Sequence, residues 1–202
     1  TLAHMGGSGP QLAQRLRKYA TGTFAGIFSQ QSNIDINNQM VVFNIRDLED
    51  ELRPVAMYIV LNHIWNIVRA KQKRRILIVD EAWQLMKYDD SANFLFSLAK
   101  RARKYYLGLT TITQDVEDFM SNKMGRAIVM NSSMQLLLKQ SSAAVDVLSD
   151  VFKLTNAERQ LLSSLPVGQG LFFAGQSHVH VQIVASETET NLITTNPVRY
   201  NR

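Results

Sequence analysis

The stretch RRILIVDEAW, residues 74–83, leaves the backbone few choices: four consecutive aliphatics are stopped by two adjacent carboxylates and a tryptophan. An apolar run of this length, rich in β-branched residues and bounded by charge, reads as a strand buried in a parallel sheet. Asp80 and Glu81 then emerge at the carboxyl edge of that sheet, the edge where open α/β folds bind ligands and where nucleotide-hydrolysing enzymes hold Mg²⁺ and polarise water. Such an acidic pair calls for a phosphate cradle. The pattern G-x-x-x-x-G-K-[ST], whose backbone N–H groups and lysine hold phosphates, occurs nowhere in the 202 residues, and none of the ten glycines is followed by lysine.

Elsewhere along the chain, strands and helices alternate. Residues 11–30 read as a helix through about Tyr19 followed by a small-residue connection at Gly22 and Gly26, and GGSGP at 6–10 reads as a flexible hinge. QMVVFNIRD, 39–47, is expected to be a strand. Arg53-Pro54 opens a long apolar helix to about Arg69, with proline near the first turn, where its missing N–H costs little. A helix over 90–105, capped by Asp90 or Ser91, places Phe94, Leu95, Leu98 and Ala102 on one face. LGLTTITQ, 107–114, is the next strand. RAIVMNS and SMQLLLKQ read as one strand or two, and AAVDVLSDVF and TNAERQLLSSL as helices, the second with a capping box from Thr155 and Glu158. VGQGLFFAG and HVHVQIVAS close as a hairpin. This order predicts a largely parallel sheet covered on both faces, with an antiparallel hairpin at one edge.

Composition narrows the function. At 46% hydrophobic and 19% charged the chain is an ordinary globular one, and with no cysteine it has neither disulfides nor thiolate metal sites. The most apolar helical stretch, 55–68, is broken by Asn62, His63 and Asn66 and falls short of the roughly 20 residues a membrane span requires. The formal charge of +5 is concentrated in RAKQKRR at 69–75 and KRARK at 100–104. Both clusters fall at helix ends, where cations complement the carbonyl dipole, and a solvated cap is the favoured reading over a nucleic-acid surface. His178 and His180 alternate on one strand face without a third ligand, which disfavours a metal hydrolase, and no G-x-S-x-G elbow is present. Gln114, ending the strand after the intervening helix, is expected beside Asp80 and Glu81, where an amide can orient a water and touch a phosphate oxygen. Trp83 and the Phe94/Leu98 face are read as core.

Taken in order, ILIVDEAWQLM, FLFSLAKRARKYYLGLTTITQDVEDF, IVMNSSMQLLLKQ, FKLTNAERQLLSSLPVGQGLFFAG and LITTNP resemble the carboxy-terminal ATPase domain of the VirB-four type (TraC/TraE-like) conjugation and type IV secretion ATPases. The resemblance runs from residue 20 to residue 197. It implies a RecA-like P-loop core of the FtsK- and HerA-like motors over 39–186, preceded by a helical and linker segment at 1–38 and followed by a tail at 187–202. It also implies ATP and Mg²⁺ as cofactors, and as partners other subunits of the same ATPase, a secretion channel with its coupling proteins, and DNA as an open case. The implied location is the inner face of the cell membrane, reached through partners.

Residue by residue, the resemblance makes Asp80 the Mg²⁺-linked aspartate, Glu81 the catalytic base, Gln114 the strand-end glutamine and Arg103 the arginine preceding that strand. Gly168, Gln169 and Gly170 match a late glycine-rich turn near the nucleotide or the neighbouring subunit. The family's phosphate loop lies upstream of these motifs, so the chain is expected to be a carboxy-terminal portion of a larger ATPase. By itself it is then expected to bind ATP weakly or not at all, and to leave Ile76 and Ile78 without a neighbouring strand. A non-catalytic assembly module of a secretion complex and a DNA translocase of the same superfamily remain the alternatives.

Overall fold

The computed structural model describes residues 2–31, 38–45, 47–70 and 72–193. They form two compact units, one ending at Asn44 and one beginning at Ile45. In the first, α1 (Gly9–Ala20) and α2 (Ala25–Phe28) are held together by the Tyr19 ring against Phe24 and Phe28, with centroids 5.8 and 5.4 Å apart. The hinge expected at GGSGP is partly helix: Ser8 is the N-cap, Gly9 is buried and Pro10 sits in the first turn, where its fixed φ is already helical.

The strand expected over 39–47 does not form among its described residues. Residues 41–45 carry no regular structure and join neither sheet, and Arg46 lies outside the described residues. A strand exists by virtue of its ladder, and apolar β-branched residues alone do not supply a partner.

The second unit opens with α3 (Arg53–Ala70), which buries Met57, Leu61, Trp65 and Val68 at helical spacing. β1 (Arg75–Val79) follows, then α4 (Trp83–Met86) and α5 (Asp89–Ala102), and a single 3₁₀ turn leads into β2 (Leu107–Thr111). β1 and β2 are parallel, with Arg75 opposite Leu107 and Val79 opposite Thr111. The α5 cap differs from the expected one: Tyr88 is the N-cap residue, and the buried Ser91 hydroxyl donates instead to the Leu85 and Tyr88 carbonyls at 2.5 and 3.0 Å. Leu77 and Leu109 pack against the core from one face of the pair, while Ile76 and Ile78 on the other face are 76% and 61% exposed. The covering expected on both faces is therefore present on one face among the described residues.

α6 (Val116–Ser121) and α7 (Lys123–Asn131) come next, and α7 overturns the strand expected at RAIVMNS. Asn122 caps it, its side-chain oxygen accepting from the Met124 N–H at 2.8 Å, and Gly125 lies so close to α6 that a Cβ there would meet the Phe119 carbonyl oxygen at 2.0 Å. Capping and this close approach outweigh the β-branched content of Ile128 and Val129.

β3 (Met134–Leu138), α8 (Ser142–Phe152), α9 (Asn156–Ser164), β4 (Gln169–Ala174), β5 (Ser177–Gln182) and α10 (Glu187–Ile193) complete the unit; residues 194–202 of the expected tail lie outside the described residues. The predicted hairpin and capping box are both present, with Thr155 and Glu158 bonded reciprocally. The single mostly parallel sheet is not. β3 pairs antiparallel with β4, so the described strands form a parallel pair and a separate three-stranded antiparallel sheet. Leu137, Leu148, Leu162, Leu165, Leu171 and Phe173 make the core between α8, α9 and that second sheet.

Candidate functional site

Val79 is the last strand residue of β1, and the two that follow turn out of the sheet together. Ile112 N–H donates to the Val79 carbonyl and Ala82 N–H donates to the Ile112 carbonyl, both at 2.9 Å, so the ladder continues past the strand ends and ties down the turn. Between these two bonds Glu81 takes φ 49°, the left-handed region that a non-glycine residue enters only when its surroundings impose it. Its N–H donates to Asp80 Oδ1 at 2.9 Å, and its carbonyl accepts from Gln84 N–H at 3.0 Å as α4 begins.

The Glu81 carboxylate is held from two sides. Trp83 Nε1–H donates to Oε2 at 2.6 Å and Gln114 Nε2–H donates to Oε1 at 2.7 Å. Gln114 reaches it because parallel pairing brings the carboxyl ends of β1 and β2 side by side. Asp115, next in the chain, caps α6 by accepting from Asp118 N–H at 2.9 Å, and so starts that helix away from the edge. An open cleft of about 470 Å³ lies here, lined by Glu81, Trp83, Gln114, Asp115, Glu117 and Ser141. Among the described residues the lining holds three carboxylates, neutral donors and the apolar Val116 and Ala144, with no lysine or arginine, a set that favours a cation over a polyanion.

Asp80 is exposed, immediately before Glu81. Among the described residues no three His, Cys, Asp or Glu side chains gather to hold a metal. A single strand-end carboxylate fits Mg²⁺, which is bound through one or two carboxylates together with substrate phosphates, and does not fit an all-protein cage.

The structure thus brings Asp80, Glu81 and Gln114 together. It does not bring Arg103 to them. Arg103 begins the 3₁₀ turn ahead of β2, exposed, its carbonyl accepting from the Tyr106 N–H at 3.3 Å. The whole of β2, roughly 16 Å at 3.3 Å per residue, separates that end from Gln114. The described residues of both basic clusters lead into β1 and β2 at this same end, where Arg75 N–H donates to the Tyr106 carbonyl at 3.1 Å, two residues past Lys104. Arg69, Lys100 and Arg101 fall in the last turns of α3 and α5, as the helix-cap reading expects.

Gly168, Gln169 and Gly170 lie at the start of β4 and do not line the cleft. Gly168 has φ 84°, and a Cβ on Gly170 would stand 2.8 Å from the Leu137 carbonyl oxygen, so both glycines answer to the turn and the sheet. The two histidines of β5 contact neighbouring elements: His178 Nδ1 lies 2.8 Å from Glu158 Oε1 on α9, and His180 Nε2 3.1 Å from Gln169 Oε1 on β4.

Trp83 is the site residue that sequence reasoning assigned elsewhere. It packs half-buried against the core, as expected, while its indole N–H turns outward onto Glu81. The signal lay in the spacing: with a tight turn after the strand, Glu-x-Trp returns the indole toward the carboxylate.

A family model described as the TraG P-loop domain matches residues 11–188. The chain belongs to the TraG P-loop domain family. It is 25% identical over 158 residues to the type IV secretion system protein virB4 of Bartonella quintana (strain Toulouse), covering 76% of this chain and 20% of that protein. It is 29% identical over 133 residues to protein TraC of Escherichia coli (strain K12), covering 61% of this chain and 15% of that protein. The solved structure of VirB4 of Thermoanaerobacter pseudethanolicus superposes with a TM-score of 0.82 at 29% identity, over 90% of this chain and 51% of that one. The chain therefore spans a fifth or less of the curated relatives it matches, and its TraG P-loop domain has an α/β fold of the P-loop NTPase type. Among the described residues of this TraG P-loop domain, no helix is long and apolar enough to cross a membrane.

Proposed function

We propose that this chain is the carboxy-terminal portion of an ATP-hydrolysing motor that powers conjugative or type IV secretion. The observation that carries the reading is the 2.7 Å bond from Gln114 to Glu81 across the adjacent carboxyl ends of two parallel strands, directly beside Asp80. Membership of a P-loop family and similarity to a type IV secretion system protein virB4 and to TraC support the reading.

In this reading Asp80 holds Mg²⁺, which when bound with the nucleotide neutralises charge on the phosphates. Glu81 accepts the proton of the attacking water at a carboxylate oxygen, and Gln114 orients that water through its amide. Arg103, a strand's length from Glu81, serves a nucleotide held by a neighbouring copy. The turn at Gly168, Gln169 and Gly170 faces the nucleotide or that neighbour. Residues outside this sequence hold the phosphates, because the 202 residues contain no G-x-x-x-x-G-K-[ST]. The partners are then further subunits and the components of a secretion channel at the inner face of a membrane.

Calorimetry on this chain and phosphate release from a longer polypeptide that includes an upstream phosphate loop test the proposal. The chain alone binds MgATP negligibly, and the longer one hydrolyses ATP and loses turnover on Glu81→Gln with binding retained. Tight MgATP binding by the chain, or undiminished turnover in Glu81→Gln, overturns it.

The position of both basic clusters leading into the parallel strands β1 and β2 favours a second reading, a motor acting on DNA. Affinity for duplex DNA that falls steeply between about 50 and 200 mM salt, as counterion release requires, is its test.

A further inference from the structure

Glu81 presents two carboxylate oxygens, and the donors that occupy them differ in kind. The indole of Trp83 opens α4, whose Leu85 and Met86 are buried, and its ring packs against the same core. Lys87 covers the ring, its Nζ 4.3 Å from the centroid. Swinging the indole away would expose apolar surface and break this stacking, so the donor to Oε2 has one position. Gln114 stands exposed in the connection between β2 and α6, on an amide with several rotamers, so the donor to Oε1 is free to leave. The indole N–H of a half-buried tryptophan requires a partner, and a main-chain carbonyl would satisfy it. Here it selects a carboxylate held on a strained left-handed backbone.

We propose that Trp83 is a positioning residue for Glu81: it anchors Oε2, leaving Oε1 as the working oxygen that Gln114 covers until substrate displaces the amide. The proposal rests on the reading of Glu81 as the base. Three features act together: the left-handed turn sets the direction of the Glu81 side chain, the indole fixes one oxygen, and Glu81 lines the cleft. A carboxylate restrained in this way loses little freedom when water binds. An unrestrained one on an exposed turn samples several rotamers, and only some of them face the cleft.

The clamp can be read on this chain without nucleotide. Trp65 and Trp83 are its two tryptophans, so the indole N–H region of a proton spectrum contains two signals, and Trp83→Phe identifies which is which. Glu81→Ala is expected to shift the Trp83 indole proton upfield and to speed its exchange with solvent about tenfold, the loss of one hydrogen bond, while the Trp65 signal stays in place. Gln114→Ala is expected to leave the Trp83 signal where it was. A Trp83 signal indifferent to Glu81→Ala overturns the clamp.

In the longer, ATP-hydrolysing polypeptide, Trp83→Phe keeps the ring and removes only the donor. It is expected to lower kcat about tenfold with KM for ATP changed less than twofold, and Trp83→His, which restores a ring N–H, is expected to recover part of the loss. A merely structural tryptophan would instead lower the fraction of folded enzyme and show no such rescue. Full kcat in Trp83→Phe overturns the positioning role. Absence of turnover in the wild-type polypeptide would refute the ATPase reading instead, and the indole signal would still decide the clamp.

Discussion

Replacing Glu81 by glycine and by alanine separates the strain in its backbone from the bonds of its side chain. Both substitutions remove the contacts to Trp83 and Gln114, so those losses cancel in the comparison. What remains is φ 49°, which an L-residue occupies at a cost of about 1–2 kcal/mol and glycine occupies freely. Glycine also gains freedom in the unfolded chain, which offsets about 0.4–1 kcal/mol of that advantage. Glu81→Gly should therefore be more stable than Glu81→Ala by about 1 kcal/mol, or roughly 2–4 °C in Tm for a chain of this size. Urea unfolding followed by circular dichroism measures the difference, and equal m-values in the two variants show that the same surface is exposed. The turn is over-determined by the Ala82-to-Ile112 and Glu81-to-Asp80 bonds, so alanine cannot relax out of it without giving them up. An alanine variant as stable as the glycine variant, at equal m, would refute the strain and with it the directed side chain on which the Trp83 clamp depends.

Three further outcomes follow from the packing. The Glu158 carboxyl is held below the ordinary glutamate value, first by the Thr155 backbone N–H and then by His178. A depressed carboxylate contributes stability that is complete above its unfolded pKa and lost as pH falls through its folded one. Glu158→Gln should therefore destabilise the chain at pH 7, and the gap from wild type should shrink below about pH 4; a constant gap across acid unfolding would refute this. Gly125→Ala, whose Cβ would stand 2.0 Å from the Phe119 carbonyl oxygen, should cost about 1–3 kcal/mol by separating α6 from α7, and a melting curve matching wild type would show that the contact is not tight. Leu162→Ala, at a fully buried position between α9 and the second sheet, should cost about 2–5 kcal/mol in chemical unfolding, and a loss under about 1 kcal/mol would place this residue outside the core.

Local chemistry was legible in the residues themselves. ILIV stopped by Asp80 makes a strand end, Thr155 with Glu158 makes a capping box, and Pro54 opens α3, because each signal is complete within one or two turns of chain. From there the neighbourhood of Asp80, Glu81 and Gln114 followed, since a helix between two parallel strands returns the chain to the same edge. The signals failed where a partner decides. QMVVFNIRD has the composition of a strand, yet its described residues join no ladder. RAIVMN has it too, and becomes α7 once Asn122 caps it and Gly125 lets it press onto α6. β3 could pair in either direction by its apolar pattern, and only its contact with β4 made the second sheet antiparallel and separate.

The same division runs through the site. Which residue types stand there was written in VDEAW and TITQ. That Trp83 grips one Glu81 oxygen, that Gln114 reaches the other from 33 positions away, and that Arg103 falls at the far end of the strands were all decided by tertiary structure. A side chain's identity is local, whereas the direction of a hydrogen bond depends on where the turn, the neighbouring strand and the core hold both of its ends.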